Sequence, residues 1–161
     1  MTIKIKKILK EMSGALKSQE DGVAIAAPQI GYLLRIFIVS GKIFAKDFGK
    51  NKKVPTPEGV GIPTASVGKI PKDLVFINPK ISKLSREKEW VPEGCLSVRP
   101  LYGKTFRSKK AIIIAYDENG KKFTRGASGL LAQIFQHETD HLNGILFIDH
   151  AKDIKEELPV K

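Results

Sequence analysis

Residues 136–141 read Gln-His-Glu-Thr-Asp-His, and this run holds two of the three histidines in the 161-residue chain. On a helix, side chains four positions apart emerge on one face. His137 and His141 can therefore grip one metal ion. Glu138 lies beside them, placed to act on a water rather than to ligate. His-Glu-x-x-His is the helix signature of zinc hydrolases. The same residues admit a second reading: two histidines at a helix end, hydrogen-bonded to Asp140 and Asn143. A catalytic metal needs a third protein ligand and an open fourth position. His150 follows the expected helix stop, so the better candidate is Cys95 in Glu-Gly-Cys-Leu-Ser (93–97). A free cysteine is also common as a buried hydrophobe. One sulfur and two nitrogens suit Zn²⁺ or Fe²⁺.

Cys95 and the histidine pair are some forty positions apart, so the elements between them must bring them together. Ile5, Ile8, Leu9, Met12 and Leu16 recur at helical spacing and predict an amphipathic helix over residues 2 to about 19. The glycines and Pro28 of residues 21–31 predict a loop or irregular edge segment. Residues 35–40 and 73–82 are rich in β-branched residues and read as strands. Between them, 41–73 is studded with glycine and proline and reads as a long loop. Residues 87–98 begin as a strand and end in a turn at Pro92-Glu93-Gly94. A β-hairpin over 110–127 turns at Asp117–Gly120. Ser128 is a plausible N-cap for a helix over 129–142, which Gly144 stops. Residues 145–149 suggest a short strand, and the charged tail, 151–161, has little to bury. The expected fold is α+β, with mostly antiparallel sheets around a central metal-binding helix and an N-terminal helix, in one domain over 1–161.

Apolar residues make up 42% of the chain and charged residues 28%, ordinary for a globular protein. No apolar run nears the ~20 residues of a membrane span, and the basic N-terminus lacks the uninterrupted apolar core of a secretory signal. A single cysteine excludes an intramolecular disulfide. A cytoplasmic monomer without membrane contact is expected. The net charge of +11 favours anionic partners. The lysines are scattered without an aromatic-rich nucleic-acid motif, so a solvated surface is the plainer reading, with weak ribosome association beside it.

Gly-Val-Ala-Ile-Ala-Ala-Pro-Gln (22–29), Glu-Gly-Cys-Leu-Ser (93–97) and Gln-His-Glu-Thr-Asp-His (136–141) occur in that order at compatible spacings. Together they resemble the signature of peptide deformylases, and the resemblance covers most of the chain. It implies hydrolysis of the N-formyl group from the N-terminal formyl-methionine of nascent polypeptides, with release of formate. It implies Cys95, His137 and His141 as ligands of one divalent metal, Fe²⁺ natively, with Zn²⁺ or Ni²⁺ as substitutes. Glu138 would be general base and then proton donor. The Gln29 side chain and the Leu96 backbone N–H would form the oxyanion hole, and Val23 and Gly94 would pair with the substrate backbone. Leu130, Gln133 and Ile134 precede His137 on its helix face and are expected to line the methionine pocket, Leu130 and Ile134 also serving as core. The chain departs from the family pattern at Ala24, in place of glycine, and at Gln133, in place of an aliphatic residue. It begins nearly at its first helix, as a divergent, N-terminally short member would. Two alternatives stay open: a deformylase-like metallohydrolase with another substrate, and a non-catalytic ribosome- or RNA-binding protein with a structural metal.

Overall fold

The computed structural model describes residues 1–45, 48 and 71–157. Helix α1 (Ile3–Lys17) starts at Thr2, whose hydroxyl accepts the Ile5 N–H at 3.2 Å. Its expected apolar stripe, Ile8, Leu9, Met12 and Leu16, is buried. The strands β1 (Ala24–Ala26), β2 (Ile36–Val39), β3 (Leu74–Leu84), β4 (Lys88–Gly94), β5 (Leu101–Ser108), β6 (Lys110–Tyr116), β7 (Lys122–Ser128) and β8 (Lys152–Glu156) form two sheets. One has the order β1-β2-β3-β6-β7, the other β4-β5-β8, and every pairing is antiparallel. Helix α2 (Gly129–Leu142) carries the histidine pair. This is the α+β arrangement expected. Among the described residues no helix is long and apolar enough to cross a membrane.

Period-two alternation explains why the larger sheet is covered on both faces. Ile36 and Ile38 of β2, with Ile25 of β1, cluster with the stripe of α1. Phe37 and Val39 of β2, with Ala24 and Ala26 of β1, cluster with Leu130, Leu131, Ile134 and Phe135 of α2. The β2 sequence Ile-Phe-Ile-Val is apolar throughout because both of its faces are buried. Phe37 stacks on Phe76 at 4.6 Å between centroids, and Phe135 meets Phe76 edge-on at 5.2 Å.

The other side of α2 meets the smaller sheet through polar groups. Gln136 is buried and imitates a strand: its Oε1 accepts the Ser108 N–H and its Nε2 donates to the Ser108 carbonyl, each at 2.9 Å. Gly144 closes the helix at φ +75°, with the Ile145 N–H returning to the Asp140 carbonyl at 2.8 Å. Arg35 donates to the Leu142 carbonyl and to Asn143 Oδ1, each at 3.1 Å, placing a cation at the negative end of the helix.

Several sequence expectations differ from this architecture. Pro92-Glu93-Gly94 is the end of strand β4, not a turn. Pro92 is tolerated because β4 is an edge strand. Strand β5 was not anticipated. Residues 145–149 form no strand; Phe147–Asp149 is a 3-10 turn that buries Phe147. The tail, read as having little to bury, supplies β8, which is exposed along its length and held by backbone pairing to β5. The irregular segment at 21–31 resolves into β1, at a sheet edge, and a 3-10 turn at Ala27–Ile30. The long loop read over 41–73 lies largely outside the described residues; of it, Gly41–Phe44 forms a 3-10 turn.

Candidate active site and metal centre

Strand β4 delivers Cys95 immediately beyond its last residue, where the extended backbone (φ −144°) enters a 3-10 turn at Leu96–Val98. The thiol is buried against α2. Cys95 Sγ lies 3.1 Å from His141 Nε2, and His141 Nε2 lies 3.1 Å from His137 Nε2. The three donor atoms all fall within 4.8 Å of one another. His150 stays outside this group, 3.6 Å from Asp140. The helix-end reading fails on the same geometry. Asp140 pairs with Arg107 and Asn143 with Arg35, while both imidazoles turn inward.

Burial alone would push the Cys95 thiol up, but the two imidazoles override it and hold the thiol down at about 5. The thiolate, the form that ligates a metal, is thus present at neutral pH. Burial opposes charge on His137, yet the neighbouring thiolate and Glu93 raise it to about 10. A cation that displaced these protons would meet one sulfur and two nitrogens already converged. Glu138 is enclosed, and burial lifts its carboxyl to about 7. Its Oε1 stands 4.0 Å from His137 Nε2, and its Oε2 is buried without a hydrogen-bond partner. An unpartnered buried carboxylate oxygen beside a thiolate and two imidazoles fits a divalent metal and its water.

Sequence reasoning missed the residues that hold this arrangement in place. Glu93 Oε2 lies 3.1 Å from His137 Nδ1, so Nε2 is the nitrogen turned to Cys95 and His141. Arg107 grips Glu93 with two bonds, 3.2 and 2.8 Å, and reaches Asp140 at 2.7 Å. Burial penalises the Glu93 charge, but His137 and Arg107 hold its carboxyl down at about 2. Phe147 lies against the other side of His137, ring centroids 6.3 Å apart. Glu93 sits two positions before Cys95, in a strand whose alternation sends it inward beside Val91; that was the available signal. Arg107 gave none, because a buried arginine is legible only once its partners are known.

A cavity of about 230 Å³ opens beside these groups. Val23, Gln29, Gly94, Leu96, Leu130, Gln133, Ile134 and Glu138 all line it, together with Cys95 and His137; His141 does not. Edge strands β1 and β4 contribute facing walls, each with one flank unpaired among the described residues. Gln29 Oε1 accepts the Ala26 N–H at 2.7 Å, which fixes the amide. Its Nε2 donates to Ser97 Oγ at 2.8 Å and faces Cys95 Sγ at 3.7 Å. Gln133 presents a fixed amide too, donating to the Pro92 carbonyl at 2.9 Å and to Glu93 Oε1 at 3.2 Å. Ala24 is buried and packs with Leu130 and Ile134 at the cavity wall. Gly94 is needed for space: a Cβ there would come within 2.5 Å of the Tyr102 ring, another wall of the cavity.

Comparison with known proteins identifies the family and the fold. The family model described as polypeptide deformylase matches residues 1–157. Peptide deformylase 2 of Clostridium acetobutylicum is 39% identical over 146 residues, covering 91% of this chain and 78% of its own. The peptide deformylase of Borreliella burgdorferi is 39% identical over 150 residues, 93% of this chain and 74% of its own. The crystal structure of the peptide deformylase from Ehrlichia chaffeensis superposes with a TM-score of 0.72 at 28% identity, covering 94% of this chain and 76% of that one. That from Legionella pneumophila gives 0.71 at 30%, covering 94% and 74%. With the family's model matched almost end to end and its fold reproduced, the chain belongs to the polypeptide deformylase family.

Proposed function

We propose that residues 1–161 act as a single metallohydrolase domain that removes the formyl group from the N-terminal formyl-methionine of nascent polypeptides. Cys95, His137 and His141 would hold one divalent metal; sulfur and nitrogen donors suit Fe²⁺ and Zn²⁺ alike, and the family resemblance favours Fe²⁺ as the native ion, with Zn²⁺ or Ni²⁺ accepted. When bound, the metal supplies Lewis acidity that makes a water nucleophilic near neutral pH. Glu138 takes the proton of that water as the formyl carbon is attacked, and passes it to the departing amine. The carboxyl held near 7 supports both roles, because it can accept and release a proton at working pH. Gln29 Nε2 and the Leu96 backbone N–H stabilise the charge that develops on the formyl oxygen. Gln29 must exchange its bond to Ser97 for one to substrate, while the Ala26 N–H keeps the amide oriented.

The substrate backbone enters as an added strand between the edges at Val23 and Gly94. Leu130, Gln133 and Ile134 receive the methionine side chain. Gln133 already spends both amide hydrogens on Pro92 and Glu93, so it adds no strong donor to the pocket, which suits a thioether. The chain acts as a monomer in the cytoplasm, and its charge of +11 supports weak ribosome association.

The observation that carries this reading is the convergence of Cys95, His137 and His141 beside the unpartnered carboxylate of Glu138. The test is formate release from a formyl-Met peptide, with metal measured on the same sample. Glu138→Ala is expected to retain the metal and lose at least ~10²-fold in rate. Turnover equal to the parent would overturn the assignment.

A further inference from the structure

The outer face of the β4-β5-β8 sheet carries a feature that the hydrolytic site does not use. Inward alternation buries Val91 and Glu93 of β4 and Thr105 and Arg107 of β5. The outward positions of these two strands are Lys88, Trp90 and Pro92, then Lys104 and Phe106. Trp90 and Phe106 face each other in register and stack at 5.1 Å with planes 25° apart, yet remain 46% and 49% exposed. Lysine ammoniums cover the ends of this pair. Lys152 Nζ lies 4.8 Å from the Trp90 centroid and Lys88 Nζ 5.7 Å from that of Phe106.

The electrostatics of the face call for an anion. Lys104 and Lys152 are direct register partners, and like charges placed opposite each other destabilise a sheet. Asp153 and Glu156 of β8 are exposed nearby, but no carboxylate occupies an outward position of β4 or β5. A chain at +11 has no surplus of acid to neutralise this pair.

We propose that this face docks single-stranded RNA, with bases stacking on Trp90 and Phe106 and phosphates taken by Lys88, Lys104 and Lys152. Among the described residues, the ring faces that the stacked pair leaves open are covered by flexible lysine stems. A base can replace an ammonium on the ring while that ammonium moves to the adjacent phosphate, so one exchange satisfies both partners. An A-form duplex keeps its bases stacked and offers the rings nothing. A lipid surface would engage the charge and take the rings into its interface, but offers no planar group to stack on them. The inference is independent of the deformylase reading, and its test does not depend on turnover.

Trp90 is the chain's only tryptophan, so intrinsic fluorescence reports on the face directly. The full chain is titrated with a short oligouridylate at low ionic strength. Saturable quenching is expected. With three phosphates neutralised, the affinity should fall about 20-fold between 50 and 200 mM salt. Lys104→Glu and Lys152→Glu, both at exposed positions, should each weaken binding by about tenfold. Phe106→Leu should do so without changing the salt dependence. The triple change Lys4→Gln, Lys6→Gln, Lys7→Gln on α1 should bind nearly as the parent does. Absence of quenching would overturn the proposal. So would equal losses from the α1 variant, equal affinity for duplex RNA of the same length, or tighter binding to anionic phospholipid vesicles.

Discussion

His137 Nδ1 lies 3.1 Å from Glu93 Oε2, and Arg107 closes on the same carboxylate from the opposite side. One largely buried chain of charge therefore runs from Asp140 through Arg107 and Glu93 to the imidazole of His137, a proposed metal ligand. Partners of this kind fix the tautomer and the orientation of a ligand, and their loss typically costs about 10–100-fold in metal affinity. Glu93→Gln is expected to lower metal affinity within that range, measured by competition with a chelator, while the fold persists. The same residue sets an acid limit. Its carboxyl is held at about 2 in the folded chain, against an ordinary value of 4.5. Its stabilising contribution is thus complete above 4.5 and is lost as the pH falls from there toward 2. Melting temperatures of metal-free protein across that window should fall steeply for the parent and more gently for Glu93→Gln. Gly94 also has a steric role. Gly94→Ala drives a Cβ against Tyr102 and should reduce formate release several-fold or more, with metal content unchanged.

At the scale of elements, α2 is positioned by two unlike surfaces, an aromatic one toward the larger sheet and a polar one toward β5. Gln136 alone pairs with both backbone groups of Ser108. Gln136→Leu leaves those groups without partners, and each buried unsatisfied group costs roughly 1–3 kcal/mol. A drop of several degrees in melting temperature is expected, measured by thermal unfolding. The periodic elements were legible in the sequence because burial on one face imposes a period. The stripe of α1, the β6–β7 hairpin and α2 with its glycine stop all stand close to where the pattern puts them. The illegible elements share a different physics. Strand β5 alternates a glycine, a threonine and a buried arginine inward, so polarity masks its inner face. Strand β8 is exposed along its length and is held by backbone pairing to β5 and by Lys152 over Trp90. Pro92 in β4 looks like a breaker but lies on an open edge. At the site, the types and spacing of the candidate ligands Cys95, His137 and His141 are readable in the sequence, and their donor atoms converge in the structure. Arg107, Phe147 and Ser97 act through contacts distant in sequence and are not readable there, while Glu93 shows only in the inward alternation of β4.

For the molecule as a whole, a bound metal would tie together parts that the chain connects only indirectly. Cys95 directly follows an edge strand of the smaller sheet, and the two histidines lie on the helix that packs against the larger one. A ligand that binds only the folded state stabilises it by about 4 kcal/mol at a thousandfold excess over its dissociation constant. Removing the metal with a chelator should therefore lower the melting temperature by several degrees, and restoring one equivalent should recover it. The most direct measurement is X-ray absorption at the metal edge of anaerobically prepared protein. One sulfur and two imidazole nitrogens in the first coordination sphere are expected, with the sulfur absent in Cys95→Asp. A parent spectrum without sulfur, or one unchanged by that substitution, would contradict the site at the centre of this structure.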